Sequence, residues 1–130
     1  MDTLSLPSNY QHLSPAGAEV RPLMSNPMGG IAHCTLPKGK TSKAVAHKTV
    51  SEFWHVISGK GEVWRHQDGN ELIATLEAGI TVDIPLGTEF QYRCIGDSDL
   101  VFLCFTMPEW PGPGEVTYPG KSAWKPSFVS

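Results

Sequence analysis

At 130 residues, 40% apolar and 18% charged, the chain is long enough for one domain with its own hydrophobic core and too apolar to stay disordered. A net charge of -3 without any cluster of Lys and Arg leaves no electrostatic footprint for nucleic acid. No run of roughly 18 apolar residues predicts a membrane span, and MDTLSLPSNY lacks the basic start and apolar stretch of a secretory leader, so a cytoplasmic setting is expected.

Taken in order, residues 1–17 are polar and turn-rich and predict an extended arm. Ala18–Met24 predicts a short strand which Pro22 would confine to an edge, and Asn26–Gly30 a loop. Strands then follow at short intervals: Ile31–Leu36, Lys43–Thr49, Glu52–Ser58, Glu62–Gln67, Asn70–Leu76, Ile80–Ile84, Thr88–Cys94 and Leu100–Met107. Gly59-Lys60-Gly61 predicts a tight reversal. Asp68-Gly69 is the strongest hairpin signal, because both residues tolerate the positive φ of a type I′ turn. Pro85-Leu86-Gly87 has proline and glycine where a turn uses them. No window carries a helical period over three turns, so the fold class is all-β, a sandwich or a barrel. The run LVFLCFTM is apolar on both faces and is expected to be central.

Pro108 to Ser130 breaks the alternation. Its prolines oppose a regular ladder or helix, yet it carries Trp110, Tyr118, Trp124 and Phe128. Aromatic surface of that size predicts a strap lying on the barrel or on a second subunit. Cys34, Cys94 and Cys104 lack CxxC spacing and read as small buried hydrophobes in a reduced compartment.

The densest stretch is Lys43–Gly61. Alternation sends Val45, His47 and Thr49 to one face. It likewise sends Glu52, Trp54 and Val56 to one face and Phe53, His55 and Ile57 to the other. Because both faces of 52–58 are largely apolar, a sheet covered on both sides is expected. A carboxylate in such company needs a partner, and His47 is the nearest candidate.

These residues resemble a cupin, the small double-stranded β-helix (jelly-roll) barrel. The first cupin motif reads G-x5-H-x-H-x3,4-E-x6-G. Glu52 and Gly59 match it, with His47 at the second histidine. The second motif reads G-x5-P-x-G-x2-H-x3-N, and Gly79, Pro85 and Gly87 match it. The resemblance implies a barrel over 18–107 between the arm and the strap. It also implies a site where histidines and a glutamate hold iron, manganese, zinc, nickel or copper. Here Val45 and Phe90 replace two of the histidines, and Cys94 the asparagine.

Two arrangements of strand 88–94 stay open. In register, Phe90 and Tyr92 wall the cavity. Shifted by one residue, Glu89, Gln91 and Arg93 turn inward, and Glu89 completes a metal set with His47 and Glu52. His47 and Glu52 therefore read as a metal-free acid/base pair, a depleted metal site, or a polar pair in a binding barrel. Trp54, Phe90 and Tyr92 predict an aromatic cavity for a small planar or apolar ligand, with Gln91 and His33 as further polar contacts. Two function classes follow: an isomerase, lyase or dioxygenase of cupin type, and a non-catalytic small-molecule-binding barrel. Cupins commonly pair, so a homodimer is expected, whereas His55, Trp64 and Arg65 are expected on an outer or interface surface and His66 and His12 in solvent.

Overall fold

The computed structural model describes residues 1–128. Its strands are β1 (His12–Leu13), β2 (Glu19–Asn26), β3 (Gly29–Leu36), β4 (Val45–His47), β5 (Ser51–Ser58), β6 (Lys60–Gln67), β7 (Asn70–Glu77), β8 (Thr81–Ile84), β9 (Glu89–Cys94), β10 (Leu100–Met107) and β11 (Val116–Thr117). They form two antiparallel sheets with the orders β1-β2-β3-β10-β5-β8 and β11-β4-β9-β6-β7. Among the described residues there is no α-helix, and so none long and apolar enough to cross a membrane.

The chain changes sheet where glycine permits it. β5 ends in the first sheet and β6 begins the second after Gly59 alone, at φ 87°. A side chain there would overlap the Asp99 carbonyl, so the predicted reversal is a corner between sheets that only glycine can turn. Asp68 (φ 51°) and Gly69 (φ 80°) form the positive-φ turn joining β6 to β7. β10 lies between β3 and β5, the central place its apolarity predicted.

Three segments depart from expectation. The loop at 26–30 shrinks to two residues, since the Asn26 side chain accepts from Met28 N–H and closes a tight turn between long strands. The strand expected over 43–49 keeps only Val45–His47, because the backbone beyond it bonds elsewhere. The outer face of β5 is not covered by the described residues: Phe53 is 48% and Ile57 44% exposed.

The core fills the space between the inner faces. Trp54 stacks on Phe102 with ring centroids 4.5 Å apart, and Tyr92 meets both edge-on. The described part of the tail lies on its own barrel. Val116 and Thr117 pair with His47 and Ala46, Ser127 bonds Thr41, and Phe128 packs over Gly17. Trp64, expected on the surface, is buried beside Gln91 on the face which the tail crosses.

Candidate functional site

Alternation places the site. On β5, Glu52 and Trp54 both point inward, and at that i, i+2 spacing the Trp54 indole N–H donates to Glu52 Oε1 at 2.9 Å. On β4, in the facing sheet, Val45 and His47 point in as well. The His47 Nδ1 lies 3.5 Å from Glu52 Oε2, too long for a hydrogen bond, and has no hydrogen-bond partner among the described residues. His47 is 8% exposed and Glu52 6%. The imidazole sits between two rings, edge-on to Phe90 and tilted against Trp110, each 5.3 Å away.

These groups face a cavity of about 340 Å³ between the two sheets. Its inner wall is Trp54, Phe90, Tyr92 and Phe102. Cys34 and Cys104 join the wall from β3 and β10, and His12, Met24, Glu109 and Trp110 belong to its lining outside the barrel's inner strands. The Cys104 thiol is pushed well above its ordinary value by hydrogen bonding with the free Cys34 thiol, then by burial and by Glu52. Burial, then Cys34, likewise raises Tyr92. Both groups stay neutral, so neither supplies a nucleophilic anion at neutral pH.

Three expected members of the site face away. β9 is in register, Phe90 opposite Val45 and Tyr92 opposite Val63, which turns Glu89 and Gln91 outward. Glu89 therefore does not complete a metal set; it pairs with His66 Nδ1 at 2.6 Å, which also takes His66 out of free solvent. Gln91 is no ligand contact. Its Nε2 donates to the carbonyls of Ser42 and Trp124, and its Oε1 accepts from Ala123 and Trp124 N–H, all within 2.9 Å. His33 is misassigned too: it opposes Leu103 on the outer face, while Ala32 and Cys34 beside it face the cavity. Burial, then the neighbouring Arg21 charge, lowers the His33 pKa.

Glu115 and Trp110 were missed as site elements. Glu115 is buried in a short 3-10 turn, Pro113–Glu115, just before β11. Its carboxylate accepts from Thr49 N–H at 2.6 Å, Val50 N–H at 2.9 Å and the Thr49 hydroxyl. It thereby fixes the chain leaving His47, and explains why the predicted strand stops early. Burial pushes its carboxyl up, but those donors and the His47 charge outweigh it and leave the pKa below the ordinary value. No sequence periodicity surrounds Glu115, so nothing local marked it.

With Val45 and Phe90 at two histidine positions of the resembled metal site and Glu89 turned away, the donor set for a divalent cation does not assemble. Among the described residues, no three of His, Cys, Asp and Glu converge to hold one.

A family model described as a cupin domain matches residues 32–106. No curated protein matches the chain by sequence. Solved structures similar to it include an oxalate decarboxylase from Bacillus subtilis (TM-score 0.67, 23% identity, 77% of this chain and 28% of that one). The capsular polysaccharide assembling protein CapF from Staphylococcus aureus is another (0.67, 21% identity, 88% and 34%). A third is a Bacillus halodurans protein (0.66, 21% identity, 75% of each chain). The chain spans about a third or less of the oxalate decarboxylase and CapF chains, and at these identities the likeness is one of fold.

Proposed function

This chain belongs to the cupin family, and from that premise we propose that its barrel binds a small, largely apolar molecule and moves a proton on it with Glu52 and His47. The carrying observation is the buried Nδ1 of His47, unpartnered and 3.5 Å from a carboxylate oxygen, facing an open cavity. An unsatisfied buried nitrogen costs about 1–3 kcal/mol. A polar ligand atom seated there recovers that cost. Glu52 takes or gives the proton, Trp54 holds its carboxylate in one orientation, and His47 stabilises the charge that develops. Isomerase and lyase chemistry needs no more than this; metal-assisted oxygenation would need donors that do not converge among the described residues.

Binding is tested by following Trp fluorescence across a panel of small neutral aromatic and aliphatic molecules, since Trp54 and Trp110 line the cavity. Silence across the panel sinks the reading. For a molecule that binds, proton exchange with deuterated solvent is expected in the native protein and lost in Glu52→Gln. Binding without exchange leaves the non-catalytic barrel as the function.

We also propose a homodimer through the outer face of the first sheet. Phe53 and Ile57 are exposed there, and Leu103 and Phe105 are half-buried. Arg21 stands on β2 towards one edge and Asp83 on β8 at the other. A two-fold axis parallel to the strands sets β2 of one copy over β8 of the next, so the charges pair around an apolar centre.

A further inference from the structure

We infer that the ligand of this cavity is a primary amine in its ammonium form on an apolar, ring-sized body, and that carboxylates are excluded. This rests on the reading of the cavity as a binding site and narrows it. Among the described residues, no lysine or arginine lines the cavity, whereas Glu52 lies within it and Glu109 is an exposed member of its lining. A bound carboxylate would meet the like charges of Glu52 and Glu109 with no lysine or arginine to offset them, only the imidazoles of His12 and His47, a cost that grows as water leaves.

The polar end of the cavity has the shape for an amine. Glu52 Oε1 is already taken by Trp54, and Oε2 is the oxygen turned toward His47. Oε2 and His47 Nδ1 are 3.5 Å apart. One nitrogen carrying two N–H groups can stand about 2.8 Å from each, close to the usual hydrogen-bond length. The imidazole accepts in the tautomer with its proton on Nε2. Phe90 and Trp110 pack against the imidazole, and Trp54 against Phe90, so aromatic side chains border this end of the cavity. A neutral hydroxyl would make one of these bonds as a donor but would not gain the ion pair.

Three probes of nearly one shape separate the possibilities: benzylamine, benzyl alcohol and benzoate, titrated at pH 7 by calorimetry and Trp fluorescence. Benzylamine is expected to bind at least about tenfold more tightly than benzyl alcohol, with no saturable benzoate binding. In Glu52→Gln the amine's advantage over the alcohol is expected to vanish while alcohol binding remains, which shows the cavity intact. A second variant, Glu109→Gln, is expected to weaken the amine less than Glu52→Gln does. Equal affinity for amine and alcohol, tighter benzoate binding, or an advantage that survives Glu52→Gln overturns the inference. So does silence with all three probes. A hit elsewhere in the neutral panel would then leave the cavity reading standing without it.

Discussion

The two sheets treat their outer faces differently. On the second sheet the chain covers itself: Gln91 holds the backbone of Ala123 and Trp124, Arg93 lies 4.2 Å from the Trp124 ring, and Lys121 reaches Glu71. On the first sheet Phe53 and Ile57 stand exposed, and the N-terminal arm meets this face at Arg21, whose guanidinium donates to the Pro7 and Ser8 carbonyls. Apolar residues at outward positions therefore carry two meanings. Where a buried polar anchor such as Gln91 stands among them, a segment of the same chain docks. Where they stand alone, a second molecule is the natural cover.

The comparison breaks most severely at Glu115, where the covering tail meets the site. Glu115→Ala leaves the Thr49 and Val50 N–H groups without an acceptor and is expected to cost about 3 kcal/mol in urea unfolding. Because folding lowers this carboxyl below its ordinary 4.5, its contribution is complete above that value and is lost as pH falls through it toward the folded pKa. Glu115→Gln is therefore expected to flatten the acid limb of the stability curve, and an unchanged limb would contradict the assignment. Next comes Gln91→Ala, which removes the anchor without touching the cavity. A loss of about 2 kcal/mol is expected, with faster amide exchange at Ala123 and Trp124 and unchanged ligand affinity. The smallest effect on folding is expected on the open face. Phe53→Ser with Ile57→Ser should shift monomer stability by about 0.5 kcal/mol or less yet convert a dimer to a monomer by light scattering. A native protein that is already monomeric would remove the need for a partner on that face.

Much of the barrel was legible because strands announce themselves through period two and turns through glycine and proline. The inward set Glu52, Trp54 and Val56 and the turns at Asp68-Gly69 and Gly59 follow from such local signals. The expectation that Glu52 and His47 face one cavity also follows from alternation, although the hydrogen-bond partner of Glu52 is Trp54 and not His47. Gln91 and His33 were misread because a polar residue on a strand looks alike from either side: the pattern says which residues share a face, not what lies beyond it. Arg93 and Trp124 show the same limit, their contact joining residues thirty-one apart in a chain with no repeating pattern between them.

The sequence by itself determined the sheet-forming segments, the turns and the face on which Glu52 lies, since each depends on neighbours a few residues away. Tertiary structure alone decided the register of β9, the course of the tail over Gln91, and the seat of Glu115 behind His47. Those rest on hydrogen bonds between distant segments, and their partners are chosen only when the whole chain has closed around its core.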